Sequence, residues 1–290
     1  MSNTLYYQPE SLAEAAQILP QMTSESAILA GGTDLLVQIR ENHTENDIIL
    51  SLCRIQELDS IEETDGWLRL GSMVTHDRAE HDEKIRKSFT ALASACSRVG
   101  SQQVRNKGTI GGGLMNASVA SDVIPPLLLF GAELSFLGPE GEQRIPIAEY
   151  LKNKSVWRAP GMLLTAIWLP VTDRLSAFAK LGSREEVSIA QLSLCASWES
   201  GETGKRHVRL VLGSVSPMPP YYDDFPLLEG ETITPERADQ AAKILSEKIR
   251  EIRLSRTKPS KMKITPAEQQ YKERAIRGVM ADLADIMNGM

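Results

Sequence analysis

The chain has no surplus of positive charge: 32 Lys and Arg against 38 Asp and Glu leave a formal charge of −6 over 290 residues. Nucleic-acid binders track phosphates with a basic face, so this balance argues against nucleic acid as a partner. No apolar run approaches the roughly 20 residues that a bilayer crossing requires, and the N-terminal MSNTLYYQPE has neither the basic nor the apolar region of a signal peptide. No membrane is therefore expected, and the expected location is cytoplasmic. Cysteine is scarce: Cys53, Cys96 and Cys195 lie far apart, odd in number and without a C-x-x-C spacing. A disulfide framework is excluded, and the three read as buried apolar filler. His43, His76, His81 and His207 fall in no metal-ligand or triad pattern. All four read as surface or structural residues, and no metal site is expected. Neither a G-x-G-x-x-G nor a G-x-x-x-x-G-K-[ST] motif is present. Internal repeats and low-complexity tracts are missing too.

What is present is globular. With 42% hydrophobic and 24% charged residues, the chain can bury about two proper cores. Ser11-Leu12-Ala13-Glu14 is a capping box opening the amphipathic run Leu12, Ala15, Ala16, Leu19, which stops near Pro20. Residues 27–30 read as a strand, 34–40 as a helix and 47–52 as another strand, a small α/β unit. From Leu58 the pattern is strand-like around Asp65-Gly66, then helical over residues 88–99. After Gly161, apolar runs at 162–169, 189–198 and 208–212 precede helical segments at 235–252 and 267–286, which reads as α+β. The basic stretch 255–263 between those helices carries no apolar periodicity and reads as an exposed linker.

Two glycine-rich turns concentrate the chemistry. Gly31-Gly32-Thr33-Asp34 lies between a strand and a helix, where glycines let backbone N–H groups approach an anion and the helix N-terminus adds positive potential. A tight connection with an ordinary N-cap explains the same residues. Thr109-Ile110-Gly111-Gly112-Gly113-Leu114-Met115-Asn116-Ala117-Ser118 follows, with Ser121 and Asp122 close behind. Three consecutive glycines predict neither helix nor strand but a cradle. Thr109, Asn116, Ser118 and Ser121 supply neutral donors for phosphate or ribityl oxygens, and Asp122 an acceptor for a hydroxyl. An ordinary polar surface loop has the same composition. Two anion-suited turns without a lysine in either favour a dinucleotide over a triphosphate.

These residues carry a resemblance. Tyr7-x-Pro9-x-Ser11-Leu12-x-Glu14-Ala15, then AGGTDLL at 30–36, Arg105-Asn106-x-Gly108-Thr109-Ile110-Gly111-Gly112, Asn116-Ala117-Ser118, Ser121-Asp122, residues 164–170 and Lys180-x-x-x-Arg184 are collinear with a known pattern. The chain resembles the FAD-binding medium subunit of the molybdenum hydroxylases, the family of xanthine dehydrogenase, aldehyde oxidoreductase and aerobic carbon monoxide dehydrogenase. The resemblance spans nearly the whole chain. It implies an α+β fold: a two-part FAD-binding domain of the vanillyl-alcohol-oxidase/MurB-like type, then a C-terminal α+β domain with a three-stranded sheet and helices. The parts are residues 1–57, 58–174 and 175–290.

The resemblance implies that Ile28, Leu29, Ala30, Gly31, Gly32, Thr33, Asp34 and Leu35 wrap the FAD pyrophosphate from one side. Thr109, Ile110, Gly111, Gly112 and Gly113 would wrap it from the other, with Asn116, Ser118 and Ser121 nearby. Asp122, Leu164 and Lys180 would line the rest of the flavin, with Val99 where some relatives place an aromatic ring. FAD would be held non-covalently, since nothing in the loops supplies a His or Cys anchor. A molybdenum cofactor and [2Fe-2S] clusters are expected only on partner subunits, one large and one small, with NAD or another acceptor receiving the electrons. No residue here need be a catalytic acid or base. Two departures stand out: Gly113 replaces the Asn of many relatives, and Val187 and Ser188 stand where NAD-reducing relatives commonly bring an Asp near the flavin. Glu186 would substitute only if its loop shifted. Three scattered cysteines exclude an extra iron–sulfur cluster in this chain. The rival readings are a self-contained flavin oxidoreductase and a cofactor-free assembly module of the same fold.

Overall fold

Ser11 caps the helix Leu12–Ile18 as its spacing from Glu14 requires: its hydroxyl accepts from the Glu14 N–H at 3.2 Å. The Glu14 carboxylate reaches back to the Glu10 N–H at 2.8 Å. The reciprocal bond of the box thus lands one residue before the cap, still satisfying a donor of the chain entering the helix. A 3-10 turn, Leu19–Gln21, with a proline in its first positions, follows the helix.

The structure, a computed structural model, describes residues 4–42, 45–184, 187–255 and 266–290. His43, Glu186 and, from residue 256 on, most of the expected basic linker lie outside the described residues. Strands β1 (Leu5–Tyr7), β2 (Ala27–Leu29) and β3 (Ile48–Ser51) form a parallel sheet in the order β1-β3-β2. The helix Leu35–Asn42 joins β2 to β3, the strand–helix–strand unit that parallel pairing requires.

A second, antiparallel sheet comprises β4 (Ile61–Thr64), β5 (Trp67–Gly71), β6 (Glu133–Gly138), β7 (Gly141–Pro146) and β8 (Leu163–Pro170), in the order β4-β5-β8-β6-β7. Asp65 and Gly66 both have positive φ, 49° and 77°, as a two-residue hairpin loop demands. β8 is central and buried along most of its length, which is why residues 163–169 are apolar but for Thr165. Its Ile167 is paired with Leu70 on one side and Leu134 on the other, and all three are fully buried.

The third sheet comprises β9 (Leu175–Leu181), β10 (Leu192–Gly201), β11 (Gly204–Gly213) and β12 (Tyr221–Tyr222), antiparallel in the order β12-β11-β10-β9. It is the expected three-stranded sheet with a two-residue strand added at one edge. Leu192, Leu194, Ala196 and Trp198 of β10 bury against Ala241, Leu245 and Ile249 of the helix Pro235–Ser255 and Ile276, Met280 and Leu283 of the helix Pro266–Asn288. The helices Thr90–Ser97 and Ile124–Leu129 pack on the sheet as well.

The chain divides into two compact units. One takes Met1–His81, Ser101–Ser118 and Phe130–Val171; the other takes Asp82–Gly100, Val119–Leu129 and Thr172–Met290. The first two sheets belong to the first unit and the third sheet to the second. No described helix is long and apolar enough to cross a membrane. Cys96 and Cys195 are buried, but Cys53 is exposed, correcting the expectation that all three are filler. It follows the end of β3, and hydrogen bonds from Ser51 and Gln8 hold its thiol below the usual range.

Candidate cofactor site

Gly31 and Gly32 are glycines for different reasons. A Cβ on Gly31 would lie 1.9 Å from the Lys107 carbonyl oxygen, so glycine alone lets the first turn touch the residues leading into the second. Gly32 has φ +76°, and a Cβ there would meet the Leu36 and Leu29 side chains at 2.9 and 3.3 Å. Each glycine therefore has a structural reason of its own. The carbonyls of Gly32 and Asp34 already accept from Leu36 and Gln38 at 3.2 and 3.0 Å. By contrast, the N–H groups of Gly31, Gly32, Thr33 and Asp34 donate to no acceptor among the described residues. Open donors in succession before a helix are the arrangement that receives an anion.

The second glycine stretch corrects the sequence reading. Residues 110–116, expected as an irregular cradle, are the α-helix Ile110–Asn116 with Thr109 as N-cap. Their donors are spent: Gly111 N–H on the Ser72 carbonyl at 3.1 Å, Gly112 N–H on Thr109 Oγ1 at 2.9 Å, Gly113 N–H on the Thr109 carbonyl at 3.0 Å. Packing, not propensity, explains glycines in this helix. A Cβ on Gly111 would lie 2.4 Å from the Ser72 carbonyl oxygen, and one on Gly112 would lie 2.9 Å from Thr109 Oγ1 and 3.6 Å from the Ala30 Cβ. The segment is pinned alongside residues 72–76, with Ile110 N–H on Val74 and His76 N–H on Gly108. It offers a small, close surface rather than a set of free donors.

Ile28, Ala30, Asp34 and Leu35 join Gly111, Gly112, Asn116 and Leu164 around one cavity of about 470 Å³ inside the first unit, within the range of small-ligand sites. Gly31 and Thr109 line a second cavity of about 740 Å³, together with Cys53 and Lys107. Leu29, Gly32, Thr33, Ile110, Gly113 and Ser118 line neither of these two, and the Ile110 side chain is fully buried. Sequence reasoning missed Ser72, Met115 and Arg158 on the smaller cavity. Arg158 lies between a short helix and β8 in no recognisable motif, and only the fold brings it there.

In the second unit, β9 carries Lys180 to Asp122, Nζ to Oδ2 at 2.6 Å, and to the Arg98 carbonyl at 2.8 Å. Both side chains of the pair are nearly inaccessible, 4% and 7% exposed. Burial pushes the Asp122 carboxyl up to about 6, against the opposing pull of Lys180 and then Arg98. Its Oδ1 is buried without a hydrogen-bond partner. Such an orphaned acceptor suits a ligand hydroxyl. Ser121 adjoins this pair in sequence, and Val99, half-buried, follows the helix Thr90–Ser97. Val187 is 46% exposed with φ 49°, held by Arg184 donating to its carbonyl at 2.9 Å, while Ser188 donates to the Arg184 carbonyl. Val187 thus exposes an apolar side chain rather than a carboxylate.

The histidines follow the sequence reading where they are described. His81 and His207 are exposed; His76 is buried, and desolvation, helped by Arg105, lowers its pKa to about 4. Asp77, Glu80 and His81 bring potential ligand atoms within 4.8 Å of one another. Glu80 is engaged by Arg105 at 3.2 Å and Asp77 by Gln102 at 2.6 Å, so the cluster is already occupied by protein partners.

In the first unit, open backbone donors beside a cavity fit the anionic centre of a dinucleotide. Residues 1–172 match the family described as the FAD binding domain in molybdopterin dehydrogenase. The nicotinate dehydrogenase FAD-subunit of Eubacterium barkeri is 26% identical over 298 residues, covering 99% of this chain and 97% of that protein. The xanthine dehydrogenase FAD-binding subunit of Escherichia coli O157:H7 is 27% identical over 219 residues, covering 74% and 75%. The fold matches a chain of a Cu,Mo-CO dehydrogenase crystal structure with a TM-score of 0.82 at 20% identity, over 100% of this chain and 99% of that one. With more than half its length matched, the chain belongs to the FAD-binding family of the molybdopterin dehydrogenases and is an FAD-binding oxidoreductase subunit.

Proposed function

We propose that this chain is the electron-transfer subunit of a cytoplasmic, multi-subunit molybdenum hydroxylase, placed between a small [2Fe-2S] subunit and an acceptor, NAD or another carrier. Substrate oxidation belongs to a large molybdenum-cofactor subunit. The observation that carries this reading is the run of open N–H donors at Gly31, Gly32, Thr33 and Asp34, in the turn that lines a cavity of about 470 Å³ through Ala30 and Asp34. When bound, FAD supplies a two-electron carrier that exchanges electrons singly with an iron–sulfur centre.

The chain's own residues then bind, orient and shield. The first-turn donors hold the diphosphate. Ile28, Ala30, Leu35 and Leu164, with Gly111 and Gly112, wall the cavity beside it, and Asn116 lies at the rim. Leu29, Thr109, Ile110, Gly113 and Ser118 contribute through the backbone or by fixing the two turns. In the second unit, the open Asp122 Oδ1 is an acceptor for a ligand hydroxyl and Lys180 balances its charge, with Ser121 and Val99 in the same unit.

Affinity purification of the tagged chain from its own cells tests this reading. The expected result is a complex containing molybdenum, iron and FAD, with FAD on this chain. Homogeneous yellow chain turning over a substrate without molybdenum or iron would replace the reading with a self-contained flavin oxidoreductase, and a colourless chain still bound to partners with an assembly module. The acceptor follows from anaerobic reduction and addition of NAD: return of the oxidised flavin spectrum identifies NAD, and persistence of the reduced one identifies another carrier.

A further inference from the structure

Ser72 has no role in the reading above. It follows β5 directly, is 4% exposed, and lines the cavity of about 470 Å³ beside Gly111 and Gly112. Its backbone is held on both sides: the N–H donates to the Thr165 carbonyl at 3.0 Å, and the carbonyl accepts from Gly111 at 3.1 Å. The direction of its Cβ is therefore set by the sheet and the neighbouring helix. A Cβ on Gly111 would come within 2.7 Å of the Ser72 Cβ, so the wall has no slack. Yet Oγ is buried and has no hydrogen-bond partner. A buried hydroxyl left unsatisfied is costly and uncommon, and at a cavity wall a ligand is its natural partner. The N–H groups of Gly111, Gly112 and Gly113 beside it are all spent; the Ser72 hydroxyl is not.

We infer that Ser72 is a cofactor-positioning residue, its Oγ–H donating to an oxygen of the adenosine-diphosphate half of FAD. This rests on the FAD reading above. The test is the dissociation constant of FAD and of ADP, measured by titration calorimetry on the full chain and on Ser72→Ala, with thermal melting of both cofactor-free proteins. The expected result is an approximately tenfold weaker affinity for both ligands, with a cofactor-free melting temperature equal to wild type or higher, because an unsatisfied hydroxyl has gone. Unchanged FAD affinity overturns the assignment while the FAD reading stands. Weaker FAD binding with unchanged ADP binding overturns the placement on the ADP half. A lower cofactor-free melting temperature marks a merely structural role and overturns it as well. A wild-type chain that binds neither ligand brings down the FAD reading, and Ser72 with it.

Discussion

Gly31-Gly32 and Gly111-Gly112-Gly113 look alike on the page and are opposites in the fold. The first pair interrupts the chain between β2 and a helix, leaving backbone donors open. The second stretch is itself helical, capped by Thr109, with every glycine donor consumed. One turn holds by its N–H groups; the other makes close approach possible by having no side chains. Glycine serves two physical ends, freedom of φ and absence of bulk, and composition alone does not separate them.

Gly31→Ala should have the largest effect. Its Cβ would meet a backbone oxygen that cannot swing aside, so a loss of more than about 3 kcal/mol is expected in denaturant unfolding, with FAD binding lost as well. Stability near that of wild type would show that the two turns are free to separate.

Acid should divide the two units. His76, in the first unit, has a folded pKa near 4 against an ordinary 6.5. Its contribution is fully present above pH 6.5 and is lost as pH falls toward 4, about 2 kcal/mol by pH 5. Asp122, in the second unit, runs the other way: raised to about 6 from 3.8, it penalises the folded state above pH 6, and the penalty is relieved as pH falls toward 4. Melting curves from pH 7 to pH 5 should be flatter for His76→Gln and steeper for Asp122→Asn. The reverse order would contradict both assignments.

Gly32→Ala should cost about 1–2 kcal/mol through its left-handed φ alone, because Leu36 and Leu29 are flexible side chains that can yield. The smallest effect is expected for Thr109→Ala, about 1 kcal/mol for a lost N-cap, with FAD still bound because the first turn is untouched. Loss of FAD with the fold intact would show that the second stretch, not the first, carries the anion.

Much of this was legible where a local rule and the fold agree. The capping box at Ser11, the Asp65-Gly66 hairpin, the buried run of β8 and the two final helices all follow from short-range pattern. β7, GEQRIP, is a polar edge strand with no apolar signal to find. The helix at residues 110–116 is hidden because three glycines oppose it locally, and the close approach of Gly111 to Ser72, which leaves no room for a Cβ, is tertiary. Lys180 and Asp122 were each singled out, but their pairing across 58 residues is tertiary. So is the division into units, since residues 82–100 and 119–129 leave the first unit for the second without a shift in composition.

The most direct test of the central claim is the visible spectrum of the purified full chain after incubation with excess FAD, followed by denaturation and identification of the released cofactor by mass. With open donors at the first turn, the account predicts a flavin band and FAD at roughly one per chain. A chain that stays colourless and releases no flavin would contradict it.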